Sequence, residues 1–382
     1  MKFRFLACAA LCALATQAAH AAVNVGVLLC LTGPAASIGI AERNAMELLP
    51  TDIGGTKIHY IFMDTQADPT KTVTDAKRLI ESDKVVAIIG PSLTPDSLAI
   101  IDVVGGRSVP NISLAAGENI ASPVKGPREW VFSVAQSTAL MARHVVADMV
   151  AQKIHSVGFI GLNQAYGDEW WKAFSRDAEA AGIKVVATER YSPVSTSVLG
   201  QALHIVAAKP DAVLIAAAGT TGVLPEKTLR QVGFKGQFYQ THGVANPAFL
   251  HLCGSTCNGT RLPVAPGLVA RQLSATNPAR AEGLRCTNAY EAKYGKGSVS
   301  EFTLAAWDGG VLLEHALPAA LEQAKPSDLA AFRSALRNAI EGLHDMRAAD
   351  GVYAMSATNH NGLDDRAVVM VRIENESWKL VK

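Results

Sequence analysis

The strongest constraint in this sequence is a repeated order of apolar strand, small-residue turn and helix that continues through most of the chain. Residues 85–89, for example, are entirely apolar, end at Gly90 and lead into a helix-like segment that begins near Thr94. Strands that are apolar throughout and alternate with helices are typical of parallel sheets covered on both faces. The order completes before about residue 138 and then restarts, which predicts two similar α/β lobes with Rossmann-like parallel sheets.

The chain continues well beyond the second of these units. Helical patterns cover residues 278–294, 302–323 and 330–342, and residues 367–373 and 377–381 have the pattern of a hairpin. Elements in this position are expected to return and complete the earlier lobes. The sequence therefore predicts discontinuous lobes joined by several strands.

The N-terminus has the three parts of a secretory signal. Lys2 and Arg4 precede an apolar run over residues 5–15, and Ala19-His20-Ala21 is a small-x-small cleavage site. The alternatives are a buried helix or a membrane anchor, but the run is short for a membrane span. We therefore expect residues 1–21 to be a signal peptide and the mature chain to lie in the periplasm.

Composition and motifs exclude several classes of function. Lys plus Arg number 35 against 34 Asp plus Glu, so the balance argues against a nucleic-acid partner. A hydrophobic share of 49% and a charged share of 18% exclude a disordered chain. The sequence contains no nucleophile elbow, zinc-protease helix or phosphate-binding loop. We therefore expect no enzymatic activity, no cofactor and no metal site.

Four cysteines remain after cleavage at the predicted site. Cys253 and Cys257 lie close together in a polar loop, and export permits a local disulfide between them. A metal site that includes His251 is the alternative, although a fourth ligand is not evident. Cys30 is predicted to be a buried small side chain, and Cys286 has no evident partner.

The loop that follows residues 85–89 is the first candidate binding segment. In open parallel sheets, ligands bind outside the carboxyl ends of the strands. Gly90-Pro91-Ser92-Leu93-Thr94 leads into a helix, whose positive end and free N–H groups favour an anion. The hydroxyls of Ser92 and Thr94 add hydrogen-bond donors. The alternative is that Thr94 only caps the helix.

Other predicted strands end in similar small or hydroxyl-bearing residues. The loops at 113–117 and 218–222 let a ligand approach the backbone, and Tyr166 and His242 follow two further strands. Tyr166 either stacks on the ligand or merely packs on Trp170. The candidate ligand-binding residues in these loops are Ala115, Ala116, Gly117, Tyr166, Thr220, Thr221 and His242.

Short segments in a specific order carry a family resemblance. These segments are Val25-Gly26-Val27 with Thr32-Gly33-Pro34, and residues 86–90, 109–113, 165–168, 229–231, 243–246 and 290–295. In this order and spacing, the chain resembles a periplasmic solute-binding protein of the branched-chain amino-acid (Leu/Ile/Val-binding) type. The matching segments extend over nearly the whole mature length.

The resemblance implies a type I periplasmic-binding fold in which two lobes are joined by three crossovers, with the ligand in the cleft between them. It places residues 22–138 plus about 268–345 in one lobe, and residues 139–267 plus about 346–382 in the other. It also implies a monomer that closes on its ligand and docks on the permease of an ATP-driven (ABC) transporter. The implied chemistry is binding without covalent change.

The resemblance also bears on the ligand. Amino-acid binders of this family carry an acid just before Gly-Val-Ala-Asn, where this chain has His242. A buried ammonium without a counter-charge is costly. We therefore expect a small carboxylate that lacks an α-ammonium, with an aromatic or keto acid favoured because Gly117 and Thr221 leave room for a ring. The alternative is an amino acid whose ammonium pairs with Glu118 or Asp308.

Two biological settings suit such a protein. The favoured one is the substrate-binding component of an ABC importer, with a small carboxylate or an amino acid as its ligand. The second is a periplasmic sensory receptor that passes its ligand signal to a membrane protein. Short motifs do not separate the two, because docking surfaces are not encoded in them.

Overall fold

The computed structural model describes residues 22–381, so the predicted signal peptide lies outside the described residues. The described chain is an α/β protein with one large sheet in each of two lobes, as the sequence predicts. None of the helices in residues 22–381 is both long and apolar enough to cross a membrane.

The first lobe is built on a six-stranded sheet with the strand order β2-β3-β1-β4-β5-β6. The strands are β1 (Val23–Leu29), β2 (Asp52–Ile53), β3 (Thr56–Asp64), β4 (Ala87–Ile89), β5 (Asn111–Ser113) and β6 (Val131–Ser133). The helices among them are α1 (Ala36–Met46), α2 (Pro69–Glu81), α3 (Thr94–Gly105) and α4 (Glu118–Ala121). All neighbouring pairs are parallel except β2 with β3, which form an antiparallel edge.

The second lobe is built on a seven-stranded sheet with the order β15-β14-β11-β10-β9-β7-β8. Its strands are β7 (Ser156–Leu162), β8 (Lys184–Tyr191), β9 (Ala212–Ala216), β10 (Gln237–Gln240), β11 (Arg261–Val264), β14 (Val369–Glu374) and β15 (Ser377–Leu380). Its helices are α5 (Thr138–Ala151), α6 (Ala165–Ala180), α7 (Leu199–Ala207), α8 (Val223–Gln231) and α9 (Pro247–Cys253). The predicted C-terminal hairpin forms the antiparallel edge of this sheet.

Both faces of the first sheet are buried, which explains why its strands are apolar throughout. Because side chains alternate along a strand, Val25 and Val27 of β1 pack in one core and Leu28 packs in the core on the opposite face. The second core contains Leu79 of α2 and Ile100 of α3. The two-sided burial predicted from the sequence is therefore realised by helices on each face.

The helices that follow the second unit belong to the first lobe. They are α10 (Arg280–Tyr294), α11 (Glu301–Gln323) and α12 (Leu329–Glu341), followed by the small hairpin β12 (Met346–Arg347) and β13 (Val352–Tyr353). Leu312 and Leu336 pack with Val25 and Val27 of β1. The chain therefore crosses between the lobes near residues 134–137, near residues 264–268 and again before β14.

The third crossing falls later than residue 345, where the sequence places it. Met346, Tyr353 and Met355 still pack in the first core, whereas Ala367 and Val368 pack in the second lobe. The small hairpin explains the difference, because it packs in the first core before the chain crosses to the second lobe.

Gly167 allows α6 to begin directly against the end of β7. A Cβ atom on Gly167 would overlap the backbone carbonyl of Leu162, whereas one on Gly200 in α7 would meet no atom within 4 Å. We expect Gly167→Ala to lower the free energy of unfolding by about 1–3 kcal/mol, because backbone has to shift. Gly200→Ala is the matched control and should raise it by about 0.4–1 kcal/mol. Urea unfolding measures both, and equal effects of the two substitutions would contradict this packing.

Candidate ligand-binding site

A cavity lies between the two lobes, at the carboxyl ends of the strands in both sheets. The residues of its lining come from both lobes and from the crossing segments. They are Ile38, Ser92, Leu93, Thr94, Pro95, Leu114, Ala115, Ala116, Ala135, Gln136, Gln164, Tyr166, Ala218, His242, Gly243, Glu301, Phe302, Ala305 and Asp350. Six of the nine residues predicted to bind ligand are in this set: Ser92, Thr94, Ala115, Ala116, Tyr166 and His242.

The Ser92 hydroxyl faces the first lobe rather than a ligand. Its Oγ accepts a hydrogen bond from the backbone N–H of Cys30 at 3.1 Å and donates one to the Glu42 carboxyl. Glu42 is completely buried, and burial raises its pKa to about 8. Ser92 therefore shapes the cavity wall, while its only proton is already used.

Thr94 is the first residue of α3 and forms no capping bond with its side chain. The alternative that Thr94 serves only as a cap is therefore wrong. Its side chain is 2% exposed, and its Oγ1 has no hydrogen-bond partner among residues 22–381. The first N–H groups of a helix also lack intrahelical acceptors. Thr94 and Pro95 line the cavity, so a hydroxyl without a partner in the described chain and the positive end of α3 lie together at its wall.

An aromatic cluster forms the wall from the second lobe. The ring centroids of Tyr166 and His242 are 6.0 Å apart, and those of Trp170 and His242 are 5.9 Å apart. The Tyr166 hydroxyl donates to Thr241 Oγ1 at 3.0 Å, which itself donates to the carbonyl of Ala217. Tyr166 therefore packs on Trp170 and also lines the cavity, and its stacking on a ligand stays a prediction.

His242 is a neutral side chain in this setting. It is 4% exposed, and burial lowers its pKa to about 3. Its Nδ1 has no hydrogen-bond partner within the described part of the chain. An uncharged imidazole offers a hydrogen bond but no counter-charge.

The floor of the cavity contains polar groups that the sequence analysis missed. Glu301 accepts the N–H of Ala265 on both carboxyl oxygens, at 2.9 and 3.1 Å, and burial raises its pKa to about 8. Asp350, in the turn between β12 and β13, and Gln136, on the first crossing, also line the cavity. Burial and the neighbouring acids raise the pKa of Asp350 well above its usual range. The only signal in the sequence was an isolated acid in the small-residue run Ala348-Ala349-Asp350-Gly351.

Three predicted site residues lie outside the cavity lining. Gly117 borders a separate polar pocket. It still lies close to the cavity wall, because a Cβ atom on Gly117 would contact the Thr94 side chain. Thr220 and Thr221 border a groove on the far side of their loop. Thr221 Oγ1 donates to the carbonyl of Ala218 at 2.7 Å. The loop after β9 therefore reaches the cavity only at Ala218, because the Thr221 hydroxyl is used in a hydrogen bond within the loop.

Neither acid named as an alternative counter-charge lines the cavity. Glu118 is exposed and borders the polar pocket beside Gly117. Asp308 is fully buried and accepts the N–H groups of Ala349 and Asp350, at 2.8 and 2.7 Å. The acids that do face the cavity are Glu301 and Asp350.

The two cysteines of the polar loop are joined. Cys253 and Cys257 form a disulfide with their Cα atoms 5.7 Å apart, and both are buried. His251 is exposed. Cys30 and Cys286 are free and buried.

The lobes contact each other around the cavity. Asn119 of α4 donates to Glu169 of α6 at 3.2 Å, and the N–H of Glu301 donates to the carbonyl of Ala245 at 3.0 Å. These bonds join elements of different lobes. The cleft is therefore closed over the residues that line it.

Known proteins share this architecture. An extracellular ligand-binding receptor from Rhodopseudomonas palustris HaA2 is 37% identical, covers 94% of this chain and 99% of its own, and superposes with a TM-score of 0.90. Leu/Ile/Val-binding protein homolog 3 of Brucella melitensis is 23% identical over 255 residues, which are 64% of this chain and 67% of that protein.

A solute-binding protein of an ABC transporter from R. palustris, solved in complex with benzoate, is 20% identical. It covers 94% of this chain and 95% of its own, with a TM-score of 0.81. The family profile of the periplasmic binding proteins matches residues 22–377, which is nearly all of the described chain. The chain therefore belongs to the periplasmic binding protein family, with the type I fold of the Leu/Ile/Val-binding proteins that it resembles.

Proposed function

We propose that this protein is the extracytoplasmic substrate-binding component of an ABC importer. It captures a small carboxylate by closure of its two lobes and delivers it to the permease. An aromatic or keto acid is the favoured ligand. Membership of the periplasmic binding protein family supports the general role, and the benzoate complex of a protein with the same fold is in keeping with the ligand class.

The observation that carries the proposal is the free hydroxyl of Thr94 at the start of α3. This side chain is 2% exposed, and residues 22–381 offer its Oγ1 no partner. A carboxylate here accepts a hydrogen bond from the Thr94 hydroxyl, in the favourable field of the helix end. Charge-assisted hydrogen bonds of this kind are about twice as strong as neutral ones.

The rest of the lining supports a largely apolar ligand body without a positive charge. Ile38, Leu114 and Phe302 supply apolar surface near Thr94. Lys and Arg are absent from the lining formed by the described residues. His242 stands where amino-acid binders have an acid, and burial keeps it neutral. A carboxylate with a neutral body fits these surroundings.

Closure of the lobes explains how such a site retains its ligand. Tyr166 and His242 approach from the second lobe, while Thr94 and Ala115 approach from the first. A ligand that contacts both walls binds the closed state better than the open one, and therefore shifts the population towards it. The Asn119–Glu169 hydrogen bond adds to the closed state.

An amino acid is the second candidate, and Asp350 is the observation that favours it. Its two carboxyl oxygens have no partner in the described chain and face the cavity. A ligand ammonium would ionise Asp350 and pair with it. The curated relative from B. melitensis carries the name of a Leu/Ile/Val-binding protein.

Matched compounds separate the two candidates. Protein stripped of ligand by unfolding and refolding is heated with benzoate against benzamide, phenylpyruvate against phenylalanine, and the keto acid of leucine against leucine. An acid at a hundredfold over its dissociation constant should add about 2.7 kcal/mol of stability, because it binds only the folded state. Benzamide should add none. Stabilisation by leucine or phenylalanine without their keto acids would support the amino-acid candidate instead.

The Thr94 hydroxyl is tested by substitution. Thr94→Val keeps the shape and removes the donor, so the affinity for the bound acid should fall by about tenfold or more. Thr94→Ser should retain most of it. Thr220→Val is the matched control, since the Thr220 side chain lies outside the cavity lining. Isothermal titration measures all three, and equal affinities for Thr94→Val and Thr220→Val would refute the proposed carboxylate site.

A further inference from the structure

The backbone of Asp350 is fixed by hydrogen bonds to Asp308, which does not line the cavity. The N–H groups of Ala349 and Asp350 donate to the Asp308 carboxyl at 2.8 and 2.7 Å. The Asp350 side chain is left free and lines the cavity floor. It is 1% exposed, and neither carboxyl oxygen has a hydrogen-bond partner from residues 22–381.

Gln136 presents a second free acceptor at the same floor. Its Nε2 donates to the carbonyl of Asp350 at 3.3 Å and to that of Ala367 at 3.1 Å. Because only the amide nitrogen can donate, these two backbone carbonyls determine the orientation of the Gln136 amide. The Gln136 Oε1 is therefore an acceptor, and it too is buried without a partner in the described part of the chain.

Two buried acceptors without protein partners are costly, because folding removes them from bulk water. Polar atoms of this kind in a native protein call for a partner, and both line the space that the ligand occupies. The partner missing from this floor is a hydrogen-bond donor. A carboxylate cannot satisfy Gln136 Oε1, since both groups only accept, whereas a hydroxyl can donate to Gln136 and also accept from a protonated Asp350.

We propose that Asp350, with Gln136, selects a ligand that carries a hydrogen-bond donor in addition to its carboxylate. The inference rests on the proposed function, in which the carboxylate binds at Thr94. For a ligand without an α-ammonium, this donor is a hydroxyl group. An ammonium would satisfy the same acceptors, and the experiment below distinguishes the two sources.

The electrostatics of the floor suit a hydroxyl. Burial and the neighbouring Asp308 and Glu301 raise the pKa of Asp350 well above its usual range. A protonated acid pairs with a hydroxyl, without placing a second negative charge near the ligand carboxylate. An ionised acid would repel that carboxylate in the same enclosed space.

The test compares four ligands that share one skeleton: hydrocinnamate, phenyllactate, para-hydroxyhydrocinnamate and phenylalanine. Calorimetric titration measures each with the ligand-stripped wild-type chain and with the variants Asp350→Asn and Asp350→Ala. In the wild type, one of the two hydroxyl-bearing acids should bind about tenfold more tightly than hydrocinnamate. In Asp350→Ala this advantage should fall to about twofold or less, with the affinity for hydrocinnamate unchanged or improved.

Asp350→Asn separates a hydroxyl from an ammonium. Asparagine keeps an acceptor, so it should preserve part of the preference for a hydroxyl, whereas it should abolish binding that depends on an ammonium. Phenylalanine binding that is lost in Asp350→Asn would support the role of Asp350 while overturning the proposed preference for acids without an ammonium. No affinity for any of the acids in the wild type would overturn the proposed function and this inference with it.

Asp345→Asn is the matched control, since it makes the same side-chain substitution at an exposed position outside the cavity lining. It should leave all four affinities unchanged. Asp350→Ala should also raise the melting temperature of the ligand-free protein, because it removes a buried carboxyl group without a partner. A preference for the hydroxyl that is equal in wild type and Asp350→Ala would refute the inference.

Discussion

Two buried acids on one face of α11 connect the segments that join the lobes. Glu301 and Asp308 are seven residues apart and therefore lie on the same side of the helix. Glu301 accepts the N–H of Ala265 on the second crossing, and Asp308 accepts two N–H groups from the turn between β12 and β13. The Tyr353 hydroxyl lies 3.1 Å from Asp308 and 2.7 Å from the carbonyl of Val134 on the first crossing. The segments that join the lobes and the floor of the cavity thus both depend on α11.

This arrangement determines what the cleft offers a ligand. Each wall contributes uncharged groups, with Thr94 and a helix end on one side and neutral His242 on the other. The floor contributes acceptors, because Asp308 holds the backbone of the turn between β12 and β13 and leaves the Asp350 side chain free. A ligand that spans these surfaces meets donors at one end and acceptors at the other. The polarity of the cleft follows from the packing of α11 as much as from the strand-end loops.

The rule that ligands bind at the carboxyl ends of parallel strands located much of the lining from sequence. Thr94, Ala115, Tyr166 and His242 each follow a strand, and all four line the cavity. The same rule failed at Thr221, because a hydrogen bond within the loop turns its hydroxyl away. It also missed Asp350, which lies in the turn of the small hairpin β12–β13, and Gln136, which follows the three-residue strand β6 on the first crossing.

The sequence by itself determined the α/β class, the two lobes and the strand-end loops that face the cleft, because apolar periodicity and turn residues act over a few neighbours. The tertiary structure alone decided which groups remain without a partner. Ser92 and Thr94 look alike in sequence. The Ser92 hydroxyl donates a hydrogen bond to Glu42, fifty residues earlier, whereas the Thr94 hydroxyl has no partner in the described chain. Asp308 and Asp350 differ in the same way, since the Asp308 carboxyl accepts two backbone N–H groups and the Asp350 carboxyl has no partner in the described chain. Hydrogen-bond satisfaction is a property of packed neighbours, and packing brings distant parts of the chain together.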